Sequence, residues 1–184
     1  MNDQVGQLCE RAQGGDLAAA SELVALFHQR IFAFFRRLCG HEDDAADLTQ
    51  KTFAKAWSSL PSYTGRSSFS TWIHGIGYHV YVDWRRRANR HDAKTDEWWE
   101  TCAAEGPSPF EDAAEREMAG RLYALVEQLD GETRETVHLH YYQDLSIKET
   151  AEVLNIATST VKYRLREALK FLRSKTAEPK ISTQ

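Results

Sequence analysis

The chain has 184 residues, 42% hydrophobic and 27% charged, with 23 Lys and Arg against 27 Asp and Glu for a net charge of −4. That is apolar material for one globular domain or two small ones, and four prolines, ten glycines and few β-branched runs favour an all-α protein. The polar N-terminus, MNDQVGQLCERAQGGD, has no signal-peptide core, and no apolar run is expected to reach the roughly 20 residues of a membrane span. No membrane insertion and a cytoplasmic location are therefore expected. Cys9, Cys39 and Cys102 are odd in number, widely spaced and without a C-x-x-C, which argues against a disulfide framework or a zinc site.

In chain order, the first block predicts four helices. A short one covers about 4–13. A second covers about 17–39, with Leu23, Leu26, Phe27, Ile31, Phe34, Phe35 and Leu38 on one face and Gly40 closing it. A third covers about 43–60, with Ala46, Phe53, Ala56, Trp57 and Leu60 as its buried stripe and Pro61 as its stop. A polar loop, 62–68, precedes a fourth helix over about 69–90. There Trp72, Ile73 and Ile76 share a face and are expected in the core, among Tyr63, Arg66, Phe69, Tyr78, His79, Tyr81, Trp84, Arg85, Arg86, Arg87 and Arg90.

A spacer follows with Gly106, Pro107, Ser108 and Pro109 near its end, residues that break helices. Between 93 and 118 there are eight Asp/Glu and two Lys/Arg, so the deficit of positive charge sits there. Trp98 and Trp99 are unusual in such a stretch and are expected to dock on a domain or a partner. The predicted organisation is a first domain over 1–92, a flexible acidic linker over 93–112, a second helical domain over 113–176 and a disordered tail over 177–184. The second domain predicts helices over about 111–129 and 132–142, then a closing pair.

That pair, 146–173, carries the most specific signal. Ser146-x-x-Glu149 is a capping box, and Ile147, Ala151 and Leu154 follow at helical spacing. Asn155 tolerates the left-handed conformation that ends many helices, and Thr158 or Ser159 can cap the next one. Val161, Leu165, Ala168, Leu169 and Leu172 form its predicted buried stripe. From 155 to 175 there are six Lys/Arg and one acid, Glu167. Two short helices, a tight turn and a row of cations are the pattern of a helix-turn-helix that lays its second helix in the major groove.

Three segments in order, covering about 20–175, resemble the extracytoplasmic function (ECF) sigma factors, two-domain members of the sigma-70 family. DAADLTQKTFAKAW (44–57) is similar to region 2.2, FSTWIHGIGYHVYVDWRRRANR (69–90) to regions 2.3 and 2.4, and 129–172 to region 4. The resemblance implies a subunit that binds core RNA polymerase and directs transcription initiation at promoters by recognising −10 and −35 elements. It implies Asp44, Asp47, Leu48, Gln50, Lys51 and Phe53 as the surface for the β′ clamp helices. It implies Tyr63, Thr64, Arg66, Trp72, His79, Arg86 and Arg90 as contacts to single-stranded −10 DNA, where aromatic faces stack on bases and cations neutralise phosphates. It implies Thr158, Ser159, Thr160, Lys162, Tyr163, Arg164 and Arg166 as contacts to duplex −35 DNA, where Arg can read guanine and Lys can hold phosphate. The β flap and an anti-sigma factor are further implied partners. No cofactor, metal or catalytic residue is implied.

The chain departs from that pattern in places. Ala46 and Lys51 stand where acids are common, which makes the core-binding patch less negative; phosphorylation of Thr49 and Thr52 would restore charge. His79 stands where Asn is usual, and Glu167 where a cation is common. The alternatives to a sigma factor are a helix-turn-helix regulator acting without core polymerase and a sigma-mimicking decoy for an anti-sigma factor. The first has no use for a strand-opening helix, and the second none for a basic recognition helix. An enzyme is disfavoured, because in His41-Glu42-Asp43-Asp44 and His138-x-His140 the side chains splay around the helix axis rather than converge.

Overall fold

The computed structural model describes residues 2–91 and 113–177. The described residues are helical, with no strand, and belong to two compact units. The N-terminal unit contains α1 (Asn2–Gln13), α2 (Leu17–Cys39), α3 (Glu42–Ser59), a 3-10 turn (Leu60–Ser62) and α4 (Phe69–His91). The C-terminal unit contains α5 (Ala113–Val126), α6 (Gly131–Val137), a π turn (His138–Tyr142), α7 (Ile147–Leu154) and α8 (Thr158–Ala177). The predicted linker, with Trp98 and Trp99, and nearly all of the predicted tail lie outside the described residues.

α2 is the axis of the N-terminal unit. By length and composition it is apolar enough to cross a membrane, although Glu22, Arg30, Arg36 and Arg37 interrupt its run. In the fold its apolar residues serve as core: Leu23, Ile31, Phe34 and Phe35 are fully buried, and Phe27 and Leu38 nearly so. Leu26, predicted in that face, is exposed. The helix starts on a side-chain cap, Asp16 Oδ1 accepting from the Ala18 and Ala19 N–H groups at 2.9 and 3.2 Å. The turn before it is tight. The Asp16 N–H reaches back to Arg11 O and the Gly15 N–H to Ala12 O, with Gly15 at φ +92°, a conformation open to glycine. Arg11 pairs with Asp16 across it at 2.6 Å.

α3 packs on α2 with Phe53, Ala56 and Leu60 buried as predicted, and the stripe differs at its start, where Ala45 takes the place predicted for Ala46. Ala45, Leu48, Thr49, Thr52, Phe53 and Ala56 are buried, Ala46 is exposed and Trp57 is half-buried. Thr49 and Thr52 turn their hydroxyls into the helix, donating to Ala45 O and Leu48 O, both at 2.7 Å. Their near-zero exposure rules against phosphorylation in the folded chain, because a phosphate there would sit between α3 and the core. α4 packs on α3 and α2, and Gly77 allows a close approach there: a Cβ would lie 3.3 Å from Phe35 Cζ.

The C-terminal core is smaller and aliphatic: Val126, Val137, Ala151, Val161, Leu165 and Ala168, with Leu129, Tyr142, Ile147, Ile156 and Leu172 around it. Polar groups are buried beside it. Glu127 Oε2 lies 3.2 Å from Arg134 Nη1, and its Oε1 lies 3.3 Å from Nε2 of the fully buried His138. The helix predicted over 132–142 widens into the π turn, closed by the Gln143 N–H on His138 O at 3.1 Å. Asp144 then takes φ +55° and the chain turns toward α7.

Candidate nucleic-acid interface

The loop between α3 and α4 is built on a three-ring cluster. Tyr63 lies 4.9 Å from Trp72 and 5.9 Å from Phe69, and Phe69 lies 5.5 Å from Trp72, centroid to centroid. Phe69 is buried and meets Phe27 of α2 edge-on at 5.0 Å, which ties the cluster to the core. Tyr63 and Trp72 are half-buried. The Tyr63 hydroxyl donates to Ser67 O at 2.8 Å and draws the two sides of the loop together. Ser68 Oγ accepts from the Thr71 N–H at 3.1 Å and so caps α4. At the tip Thr64, Gly65 and Arg66 are exposed.

α4 continues the line from this loop. Of the residues predicted to touch single strands, His79 and Arg86 are exposed, with His79 Nδ1 2.9 Å from Gly75 O. The side chain of Arg90 lies outside the described residues. Tyr81 is buried, stacks on Trp84 at 6.0 Å and carries the Arg85 guanidinium 5.4 Å above its ring. From Phe69 to Arg86 is about 25 Å along the axis at 1.5 Å per residue. The arrangement joins aromatic faces at one end to cations at the other, a layout that suits unpaired bases and their phosphates.

On the far face of α3, Asp47, Gln50 and Lys51 are exposed and Asp44 is half-exposed. Lys51 pairs with Asp47 one turn away. Leu48 and Phe53, predicted as partner contacts, are buried at 1% and 7% exposure, so they set the helix on its core and the polar residues present the surface.

In the C-terminal unit the capping box forms as predicted: the Ser146 N–H donates to Glu149 Oε2 at 2.9 Å, and the Glu149 N–H to Ser146 Oγ at 3.3 Å. α7 ends with Asn155 at φ +53°, its N–H on Glu152 O and the Ile156 N–H on Ala151 O, with Ile156 packed on the core. α8 begins at Thr158 itself, its first turn closed on Ala157 O, so neither Thr158 nor Ser159 is its cap. Thr158, Ser159, Lys162, Tyr163 and Arg166 are exposed, and Thr160 is half-buried. Leu169, predicted in the buried stripe, is 40% exposed.

Arg164 differs from its neighbours on α8. It is ion-paired with Glu132 in the first turn of α6, and its side chain is only 15% exposed. Asp130, which caps α6 by accepting from the Thr133 N–H at 3.0 Å, lies in the same field. Burial alone would raise its carboxyl pKa, but the Thr133 N–H and hydroxyl, together with Arg164, hold it below the usual value. Sequence reading missed Glu132, because 32 residues separate it from Arg164 and no local spacing joins them.

This geometry sits within two family matches. The sigma-70 region 2 model matches residues 23–91, and the sigma-70 region 4 model matches 119–172. The chain is 30% identical over 151 residues to the ECF RNA polymerase sigma factor SigX of Bacillus subtilis, covering 80% of this chain and 78% of that one. The chain belongs to the ECF sigma factors of the sigma-70 family. It is also 25% identical over 182 residues to SigW of the same organism, covering 94% and 97% of the two chains. Among solved structures it is similar to CnrH in complex with the cytosolic domain of CnrY, with a TM-score of 0.68, 25% identity and 96% and 97% coverage. It also shares its fold with RpoE in complex with the anti-sigma factor NepR from Bartonella quintana, with a TM-score of 0.72, 21% identity and 86% and 98% coverage. As an ECF sigma factor the protein binds core RNA polymerase and directs it to promoters, which it recognises at their −10 and −35 elements.

Proposed function

We propose a residue-level division of this work. Asp44, Asp47, Gln50 and Lys51 on α3 meet the β′ clamp helices, with Leu48 and Phe53 holding α3 in place beneath them. Tyr63, Thr64, Arg66, Trp72, His79, Arg86 and Arg90 hold the melted −10 strand, its extruded base captured at the tip of the 63–68 loop. Thr158, Ser159, Thr160, Lys162, Tyr163, Arg164 and Arg166 face the −35 duplex, and the C-terminal unit docks on the β flap. Residues 93–112 act as the linker between the two grips. The protein works in the cytoplasm with no chemical step of its own, and an anti-sigma factor holds it inactive, as the complex of the similarly folded RpoE with its anti-sigma factor suggests by analogy.

The observation that carries this reading is the ring cluster Tyr63–Phe69–Trp72, anchored on Phe27 and continued by exposed cations on α4. A duplex-binding regulator has no use for a second, aromatic grip. The test is in vitro transcription with purified core polymerase and a pool of genomic promoter fragments. Discrete promoter-specific transcripts are expected, lost when Tyr63 and Arg66 are both replaced by Ala. No transcript from an active core preparation, with duplex binding intact, would favour the regulator instead.

A further inference from the structure

The −10 loop is held from outside the region 2 match. Gln13, the last residue of α1, donates from Nε2 to two carbonyls: Leu60 O at 2.9 Å and Tyr63 O at 2.7 Å. These acceptors lie 47 and 50 residues along the chain, on either side of Pro61 and Ser62. A carboxamide nitrogen has two hydrogens, and both find a carbonyl here. Leu60 O also accepts from the Tyr63 N–H at 3.0 Å, so Gln13 completes a small closed network around the 3-10 turn. The matched family segment begins at residue 23, after α1.

The placement of Gln13 is itself fixed. α1 packs on α2, and its Leu8 and Cys9 are buried. Its end is set by the Gly15 turn and by the Arg11–Asp16 pair described above. Burial pushes the Cys9 thiol up to about 11, so this contact is a neutral, apolar one. Downstream, the loop has its own second anchor in the Tyr63–Ser67 and Ser68–Thr71 bonds. Between the two anchors only the tip, residues 64–66, is exposed without interruption.

We infer that α1 is a brace for the −10 recognition loop and that Gln13 is its positioning residue. Gln13 does not touch DNA. It fixes the Tyr63 carbonyl, and with it the direction of the Tyr63 ring and of the tip that follows. A base-capturing site held on one anchor samples more conformers, and ordering it on binding costs affinity. The inference rests on the reading that residues 63–66 capture the −10 strand.

The experiment uses full-length chain assembled with core polymerase, and measures three quantities: affinity for core, affinity for a duplex bearing the −35 element alone, and affinity for a fork-junction probe with an unpaired non-template −10 strand. Gln13→Ala removes the donors. Gln13→Glu keeps the shape and sets a carboxylate against two carbonyls. Gln13→Lys keeps a donor that reaches both. Loss of the two bonds is expected to weaken fork-junction binding about tenfold in the Ala and Glu variants, with core and −35 affinities within about twofold and the Lys variant close to wild type. Fork-junction binding unchanged in the Ala and Glu variants, while Arg66→Ala weakens it, overturns the brace and leaves the loop assignment standing. Unchanged binding in both Gln13 variants and Arg66→Ala overturns both. A parallel fall in core affinity, or failure of Lys to rescue, assigns Gln13 a general structural role and also overturns the brace.

Discussion

The cores of the two units differ, and so do the surfaces proposed to meet nucleic acid. The N-terminal unit is built on large rings, with Phe34 and Phe35 fully buried and Phe27 carrying Phe69. Its ring cluster is the edge of that core brought to the surface, so the face proposed to hold the −10 strand is half apolar. The C-terminal unit is built on Val, Ala and Leu, and buries polar groups such as Thr133, Glu135, Thr136, His138 and Gln143 beside them. The face proposed to read the −35 duplex is a helix carrying exposed charge. A site that stacks unpaired bases must expose apolar surface, whereas a site that reads a duplex need only hold cations in register.

The largest expected effect tests the cores themselves. Phe34→Ala removes a fully buried ring and should cost about 3–5 kcal/mol of stability; Leu165→Ala in the smaller core should cost about 2–5 kcal/mol. Urea denaturation of full-length protein measures both. A Phe34 variant that loses less than the Leu165 variant would break the contrast drawn between the cores.

The next effect concerns the two grips. Tyr63→Ala removes a stacking face and should weaken fork-junction binding by about 1–3 kcal/mol with its salt dependence nearly unchanged. Lys162→Ala and Arg166→Ala should each weaken −35 duplex binding and lower the slope of log affinity against log salt by about 1. Titrations across salt concentration separate the two. A Tyr63 variant whose loss disappears at high salt would show that the first grip is also electrostatic.

Much of this was legible in the sequence. The spans of α2, α3 and α4, the Gly40 stop and the capping box at Ser146 follow from strong local signals: long rings at helical spacing, glycine after the last apolar residue, Ser and Glu three apart. The misses lie where the signal was weak or non-local. Ala45 and Ala46 are identical side chains, so nothing local sets which one faces the core; the buried Thr49 and Thr52 hydroxyls, satisfied inside the helix, decide the register. Phe53 was legible as part of the buried stripe, whereas Leu48 falls within the family's motif and only packing shows that it points into the core. The π turn at His138–Tyr142 has no side-chain signature. Gln13 and Glu132 act on residues 47 and 32 positions away, beyond the reach of periodicity.

The Glu132–Arg164 pair offers a smaller test of the C-terminal face. Glu132 is 72% exposed, so its hold on Arg164 is screened and worth a few tenths to about 1 kcal/mol. Glu132→Gln keeps the side-chain size and removes the charge. It is expected to free Arg164 and raise −35 duplex affinity by about two- to fivefold at low salt. Unchanged affinity, measured by fluorescence anisotropy, would place Arg164 with the scaffold of α8 rather than with its DNA face.

The smallest effect is one in which the units behave alike. Each has a helix started by an aspartate, Asp16 for α2 and Asp130 for α6. The Ala19 N–H and the Arg11 side chain hold the Asp16 carboxyl below its ordinary 3.8; the Thr133 N–H and hydroxyl do so for Asp130 against the opposing pull of burial. A carboxyl whose folded pKa lies below its unfolded one binds fewer protons in the folded state. Its contribution is therefore complete above the ordinary value and lost as pH falls through the folded one. Stability should then decline from about pH 4 downward, and Asp16→Asn with Asp130→Asn should flatten that decline, because asparagine caps a helix without titrating. Denaturant midpoints at pH 7, 4, 3 and 2 measure it. An equal acid decline in the double variant would move the acid sensitivity to other carboxylates.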